Sequence, residues 1–221
     1  TIQDTLEKTI RKVFGQAVNV AGSGRTDTKV HALCQTVSFK LDLDITADKL
    51  RYALNNALPQ DITVLTAQKV NDEFHARFSA KSKKYIYKIL KNSEPNPFVG
   101  RYVWLMRQNL DLEQMRQATA VIIGEHDFTS FCSTGSCEGS RIRTVFEAEW
   151  FLAADGRSLE FHISGNGFLY HMVRNLVGML VQVGCGRMST ADFKHLLEGC
   201  NRTAKCILAP PQGLYLAKVY Y

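Results

Sequence analysis

The spacing of apolar residues along the chain predicts a mixture of helices and strands. Apolar side chains recur at helical spacing over residues 2–14, where Gly15 follows as a stop signal, and over residues 46–58, between a capping Thr46 and Pro59. The same spacing predicts helices over residues 112–123, 168–183 and 190–197. Alternating or β-rich runs predict strands over residues 37–41, 62–70, 84–90, 144–152, 159–164 and 214–220.

This order of elements indicates the fold class. Strands that follow one another in pairs, with helices between the pairs, favour an α+β fold with a mostly antiparallel sheet and helices on one face, over a doubly wound parallel fold. A polar turn around residues 79–82 is the predicted boundary between an N-terminal lobe, residues 1–80, and a C-terminal lobe, residues 81–221.

Composition excludes several classes of protein. The 221 residues are 45% hydrophobic and 22% charged, as in ordinary globular proteins, which excludes a disordered or collagen-like chain. The most apolar stretch, residues 168–183, is short and contains His171 and Arg174, so we expect a buried helix and no membrane association. The six cysteines form no Cys-x-x-Cys pair, so we expect reduced thiols and no metal site. No charged-then-apolar leader opens the sequence, and a cytoplasmic location is expected.

The positive charge is concentrated in one segment. The chain carries a net charge of +6, and residues 77–107 hold eight cationic side chains against the single acid Glu94. Aromatic residues are interleaved with these cations, a pattern that nucleic-acid-binding surfaces use. The alternative from composition is a solvated basic face with aromatic residues in the core.

The loop before the strand at residues 37–41 holds the first candidate for chemistry. Asp27 follows Gly22 and Gly24, and His31 lies four residues later. Neither the dinucleotide fingerprint nor the P-loop sequence is present, so no nucleotide cofactor is expected. By spacing alone, Asp27 also fits a turn in which it binds nearby backbone amides, and His31 fits a half-buried histidine with satisfied hydrogen bonds.

Five stretches, in order, resemble the tRNA pseudouridine synthase A family over essentially the whole chain. They are Gly24-Arg25-Thr26-Asp27 with Val30-His31-Ala32; residues 74–80 with Lys84-Tyr85-Ile86-Tyr87; residues 124–131; residues 167–175, which include Tyr170-His171-Met172-Val173-Arg174-Asn175; and Gly213-Leu214-Tyr215-Leu216.

The resemblance implies isomerisation of uridine to pseudouridine in tRNA, at positions 38 to 40 of the anticodon stem-loop, by a homodimer without cofactor or metal. It implies two lobes of ferredoxin-like character with an active-site cleft between them. Asp27 matches the catalytic carboxylate, Arg174 its arginine partner and Tyr85 the active-site tyrosine, a stacking platform whose hydroxyl takes the C5 proton. The sequence leaves open whether Asp27 attacks C1′ or acts as a base at C2′.

The roles of the other residues follow from the same resemblance and from charge. A carboxylate in a dry pocket tends to take up a proton unless a cation is near, which is the role expected of Arg174. Tyr170, Arg174 and Gly178 share one face of the predicted helix, and Gly178 permits close approach of another segment. Phosphates are expected to contact six cationic side chains: Arg25, Arg77, Lys81, Lys83, Lys84 and Lys88. A core tyrosine and a structural ion pair are the alternatives for Tyr85 and Arg174.

Two departures from the family pattern bear on activity. Lys29 stands where the family has glycine, and strains the loop if that position needs a positive φ. The family's N-terminal strand with its Gly-Trp-Gln segment is expected upstream of residue 1; otherwise the other lobe is expected to cover the open sheet edge. Two alternatives therefore stay open: an RNA-binding protein impaired in catalysis by Lys29, and a sheet-based interaction module on the same scaffold.

Overall fold

The computed structural model describes residues 1–91, 94–133, 139–201 and 206–221. The α-helices within these residues are α1 (Ile2–Phe14), α2 (Ala47–Ala57), α3 (Leu112–Ala120), α4 (Met172–Gly184) and α5 (Thr190–Glu198). The strands are β1 (Ala21–Gly22), β2 (His31–Ala32), β3 (Val37–Ser38), β4 (Ser82–Leu90), β5 (Trp104–Leu105), β6 (Gly124–Asp127), β7 (Ile142–Leu152), β8 (Ser158–Gly165) and β9 (Leu214–Tyr220). The α+β class with a mostly antiparallel sheet is confirmed.

Contacts divide the chain into two units. The first consists of residues 1–25 and 35–80, and the second of residues 26–34 and 81–221. Residues 26–34, which carry Asp27, therefore group with the second unit, although they lie within the sequence range predicted for the N-terminal lobe. No helix in the described ranges is long and apolar enough to cross a membrane.

Two helices and a short strand pair build the first unit. A capping box at Thr1 begins α1, Gly15 ends it at a φ of 72°, and the Thr46 hydroxyl caps α2, so both predicted helices are confirmed. Their apolar faces form a core of five buried side chains: Leu6, Ile10, Val20, Leu54 and Leu58. The strand predicted at residues 37–41 is restricted to Val37–Ser38, which pairs antiparallel with β1.

The strand predicted over residues 62–70 is wrong. Ile62 and Val64 do pack against the core of the first unit, which accounts for the alternating pattern. The backbone of Val64 is bonded instead to the side chain of Asn55: its N–H donates to Oδ1 at 2.7 Å, and its carbonyl accepts from Nδ2 at 2.9 Å. A side-chain amide thus replaces a neighbouring strand at this position.

The second unit contains a seven-stranded sheet. Its hydrogen-bonded order is β2-β9-β4-β8-β7-β6, with β5 added parallel to β4. Tyr85, Tyr87 and Ile89 alternate along β4 and are buried, while the residues between them are half-buried. The helices α3, α4 and α5 pack on one another, and α3 packs against β7. The predicted strands and helices of this unit are present, and β2, β5 and β6 were not predicted.

The start of α4 differs from the prediction. The helix was expected from residue 168 but begins at Met172, because His171 has a φ of 62° and interrupts helical geometry. Tyr170 therefore lies outside the helix, and the predicted shared face of Tyr170 and Arg174 is wrong. From Met172 onward nearly every residue of α4 is buried, as expected.

One expectation about the cysteines is also corrected. Cys34, Cys185, Cys200 and Cys206 are free thiols, as expected. Cys132 is disulfide-bonded, so the expectation of reduced thiols is wrong at that position. Cys137 lies outside the described residues.

Candidate active site

Asp27 is positioned by a tight turn and a short strand of the second unit. The N–H of Val30 donates to the Asp27 carbonyl at 3.0 Å, and Lys29, at the third position of this turn, has a φ of 70°. The chain then enters β2, which pairs parallel with β9 through His31 and Ala32. The Leu33 N–H extends this pairing, because it donates to the Leu216 carbonyl at 2.9 Å. The carboxylate is thereby carried at the edge of the main sheet, in a loop fixed at its C-terminal end.

Arg174 forms a close ion pair with Asp27. Nη1 of Arg174 lies 2.7 Å from Oδ2 of Asp27, and the side chains are 9% and 25% exposed. The guanidinium is also held by the backbone, because Nε donates to the Ala209 carbonyl at 2.8 Å. The pairing expected from the two motifs is therefore present in the structure, although they are 147 residues apart.

The segment at residues 207–209, whose Ala209 carbonyl accepts from Arg174, passes very close to α4. A Cβ built on Gly178 would lie 1.6 Å from the Ile207 carbonyl oxygen, so only glycine allows this approach without a shift. The Ala209 N–H also donates to the Arg174 carbonyl at 3.2 Å. The predicted close approach at Gly178 is confirmed, and its result is to bring the Ala209 carbonyl to the guanidinium.

His171 is a further neighbour of Asp27 that the sequence prediction did not include. Its Nε2 lies 3.3 Å from Oδ2, and its Nδ1 lies 3.0 Å from the Ser133 hydroxyl. Burial lowers the pKa of His171 below its ordinary value of 6.5; Arg174 acts in the same direction and Asp27 opposes it. A signal was present in the sequence, because His171 precedes Arg174 by three residues within the same motif.

Tyr85 is buried on β4 near the carboxylate. Its ring packs edge-on against Phe168, with centroids 5.2 Å apart. Burial raises the pKa of Tyr85 to about 12, and the negative charge of Asp27 adds to the shift. The phenol therefore keeps its proton at neutral pH and can donate a hydrogen bond.

His31 has the structural role that its spacing suggested. Its Nε2 lies 3.0 Å from the Arg101 carbonyl oxygen, and its ring packs against Tyr102 and stacks on Tyr215. The side chain is half-buried. The prediction of a satisfied histidine is confirmed.

The predicted phosphate-binding residues differ in their surroundings. Arg25 and Arg77 are exposed on the first unit, and the Arg77 guanidinium lies 5.6 Å from the Phe78 ring centroid. Lys81 is exposed on the second unit, where Lys83 and Lys84 are half-buried on β4. Lys88 forms an ion pair with Glu160 at 3.0 Å and lies 5.2 Å from the Tyr215 ring centroid, so its charge is already compensated.

Groups of three or more side chains able to hold a metal ion are absent from the described residues. The chemistry available at the site is that of one carboxylate with two nitrogen neighbours and a protonated phenol.

Comparison with known proteins agrees with the motifs. A family model described as tRNA pseudouridine synthase matches residues 1–79 and 118–221. Proteins named tRNA pseudouridine synthase A are 46% identical in Thermoanaerobacter sp. (strain X514), 44% in Bacillus licheniformis and 42% in Bacillus subtilis. Each comparison covers 100% of this chain and 90% of the relative. The family model and the relatives both show that the chain belongs to the tRNA pseudouridine synthase family.

Proposed function

We propose that the protein isomerises uridine to pseudouridine in the anticodon stem-loop of tRNA, at positions 38 to 40, with Asp27 as the catalytic carboxylate. The observation that carries the proposal is the partly buried pair of Asp27 and Arg174, formed by two motifs of a family to which the chain belongs. An ion pair of this kind is weak evidence for stability alone, since burying both charges costs much of what their attraction returns.

The reaction rearranges one nucleotide without adding or removing atoms. The bond between N1 of uracil and C1′ of ribose breaks, a bond between C5 and C1′ forms, and the C5 proton is lost while N1 gains one. A carboxylate beside the ribose serves either as a nucleophile at C1′ or as a base at C2′. Oδ2 of Asp27 faces Arg174, and no partner of Oδ1 occurs among the described residues, which leaves Oδ1 for either role.

Tyr85 and Arg174 complete the proposed catalytic set. With its pKa at about 12, Tyr85 donates a hydrogen bond to the uracil or ribose and does not remove the C5 proton. We propose that the base, which must leave its stack to reach Asp27, packs against the ring of Tyr85. Arg174 binds Oδ2 of the carboxylate at 2.7 Å and fixes its orientation.

For tRNA binding, we propose that exposed cations contact phosphates and orient the substrate without reading its sequence. Arg25, Arg77 and Lys81 are exposed, and Lys83 and Lys84 follow on β4. The proposal includes a homodimer, because a tRNA is larger than a 24.9 kDa subunit can easily hold. It also includes a cytoplasmic location.

A second function is favoured by one observation, the φ of 70° at Lys29. A lysine in this conformation strains the loop that carries Asp27, as expected for a tRNA-binding protein whose catalysis is impaired. Such a protein would bind tRNA tightly and form little or no pseudouridine.

The Asp27→Asn variant tests whether pseudouridine formation and tRNA binding depend on different residues. The substitution keeps the size of the side chain and removes its charge, so pseudouridine formation per protein should be abolished. Affinity for tRNA should stay within about tenfold, or about 1.4 kcal/mol, since phosphates are bound by other residues. Asp61→Asn, at an exposed aspartate of the first unit, is the matched control and should turn over normally.

Both outcomes of this experiment are informative. Near-normal turnover by Asp27→Asn would exclude Asp27 as the catalytic carboxylate. Tight tRNA binding without turnover in the unsubstituted protein would favour the impaired binder.

A further inference from the structure

His171 occupies a backbone conformation that its residue type rarely adopts. Its φ is 62° at the position preceding α4, a region that favours glycine and asparagine. A non-glycine residue at positive φ costs free energy that surrounding contacts must offset, and such residues cluster at functional sites. Here the conformation accompanies the approach of the imidazole to Asp27.

A chain of hydrogen bonds assigns the ring proton of His171. Nδ2 of the buried Asn175 donates to the Phe131 carbonyl at 2.8 Å and to the Ser133 Oγ at 3.4 Å. An ionised carboxylate can only accept, so a neutral His171 whose Nε2 lies 3.3 Å from Asp27 Oδ2 carries its ring proton on Nε2. Nδ1 then accepts from the Ser133 hydroxyl at 3.0 Å.

The two nitrogen neighbours of Asp27 contact the same carboxylate oxygen. Arg174 Nη1 lies 2.7 Å and His171 Nε2 3.3 Å from Oδ2. Within the described part of the chain, Oδ1 has no such neighbour. The two contacts restrict rotation of the carboxylate and direct Oδ1 away from the protein groups that hold Oδ2.

We propose that His171 is a positioning residue for Asp27: in its neutral form, with the proton on Nε2, it holds Oδ2 together with Arg174 so that Oδ1 faces the ribose. The inference rests on the proposed function of Asp27 as the catalytic carboxylate. Ser133 and Asn175 act indirectly, by holding the imidazole of His171 in the required tautomer.

A dependence of the rate on pH follows from this arrangement. The titratable and charged groups facing His171 in the described structure are Asp27 and Arg174, with Tyr170 stacked on its ring at 3.7 Å and Tyr85 near Asp27. Burial keeps the pKa of His171 below 6.5, so the ring is neutral at pH 7. Below that pKa a second proton enters at Nδ1, and the resulting cation beside Oδ2 weakens Asp27 as a nucleophile or base. Turnover should therefore fall on the acid side as His171 is protonated.

The principal test is His171→Asn. Asparagine tolerates positive φ, so the backbone is preserved, but its side chain has no atom equivalent to Nε2. We expect kcat to fall roughly 100-fold, because a small misplacement of a catalytic group has an effect of this size. KM for tRNA should change little, and the acid limb of the kcat profile should move to lower pH because the titrating imidazole is gone.

Ser133→Ala is the matched variant and shifts the profile in the opposite direction. It keeps His171 but removes the donor to Nδ1. Because a hydrogen bond to the neutral form disfavours protonation, losing it raises the pKa of His171 and should move the acid limb to higher pH. A residue with a purely structural role would produce neither shift.

The outcomes distinguish this inference from the function on which it rests. Unchanged kcat and an unshifted acid limb in His171→Asn would overturn the inference, while inactivity of Asp27→Asn in the same assay would leave the proposed function standing. Turnover by Asp27→Asn would overturn the proposed function itself. If His171→Asn does not fold, as judged by its unfolding transition, Ser133→Ala decides, and an unshifted acid limb in that variant refutes the inference.

Discussion

Lys29 occupies a backbone position where glycine is favoured. The hydrogen bond from Val30 to Asp27 closes a four-residue turn, and the third residue of that turn has a φ of 70°. A positive φ at this position is typical of a type II turn, which favours glycine or asparagine. The sequence predicts strain at Lys29 if this position needs a positive φ, and the position does have one.

Lys29→Gly should stabilise the protein by up to about 1 kcal/mol, because glycine adopts positive φ without steric cost. The greater flexibility of glycine in the unfolded chain offsets part of this gain. The change in free energy of unfolding is measured by denaturant titration. Lys29→Ala removes the same charge but keeps Cβ, so it isolates the charge effect and should leave the strain in place. Equal stability of the two variants would show that positive φ is not the source of any change.

At the scale of single residues, the sequence predicted the pairing of Asp27 with Arg174 but not the contact from His171. The pair follows from the family motifs, whose residue types match position by position. The contact from His171 depends on a φ of 62°, which makes the helix begin four residues later than periodicity suggested. Apolar spacing continues through residues 168–171, so the pattern carries no sign of that interruption.

Among the elements, α4 and the segment around residue 209 form the support for Arg174. Gly178 allows the Ile207 carbonyl to approach the helix, and the Ala209 carbonyl then accepts from Arg174 Nε. The segment continues to Pro210, whose carbonyl accepts from the buried Tyr87 hydroxyl at 2.7 Å. A single path of contacts thus connects β4, this segment and Arg174.

Gly178→Ala should therefore reduce both stability and turnover. Alanine is intrinsically about 1 kcal/mol better than glycine in a helix. Here its Cβ would lie 1.6 Å from a backbone oxygen, and overpacking of this kind costs roughly 1–3 kcal/mol. The displaced segment would also carry the Ala209 carbonyl away from Arg174, which lowers kcat.

Gly184→Ala, at the C-terminal end of the same helix, is the control for this substitution. The added Cβ meets the buried side chain of Met115, 2.5 Å from its sulfur, and a side chain can shift more readily than the backbone carbonyl met at Gly178. We expect a smaller loss of stability, and kcat close to that of the unsubstituted protein. If Gly178→Ala retains full turnover in a pseudouridine assay, the segment does not position Arg174.

The elements that the sequence did not predict owe their structure to distant partners. β2 is two residues long and exists because β9, nearly two hundred residues later, provides its hydrogen bonds. Conversely, residues 62–70 have a strand-like pattern but bond to Asn55. Period-2 alternation records which side chains are buried, and it cannot indicate whether a backbone partner is a strand or a side chain.

For the whole molecule, the distribution of charge determines how tRNA binding should respond to salt. The sequence placed a net charge of +7 in residues 77–107, but the structure compensates part of it internally. Lys88 pairs at 3.0 Å with Glu160, an acid outside that segment. Charges already neutralised by the protein release few counterions when RNA binds.

The salt dependence of affinity should therefore distinguish Lys81 from Lys88. Lys81 is exposed and forms no ion pair with any described residue, so a phosphate contact by Lys81 contributes about 0.9 to the slope of log K against log salt concentration on a duplex. Lys81→Ala should reduce the slope by about that amount. Lys88→Ala should change it much less, because Glu160 already compensates that ammonium. Fluorescence titrations of tRNA at several salt concentrations measure both slopes. Equal changes would mean that the pair of Lys88 and Glu160 opens on binding, and no change in either would place the tRNA on another surface.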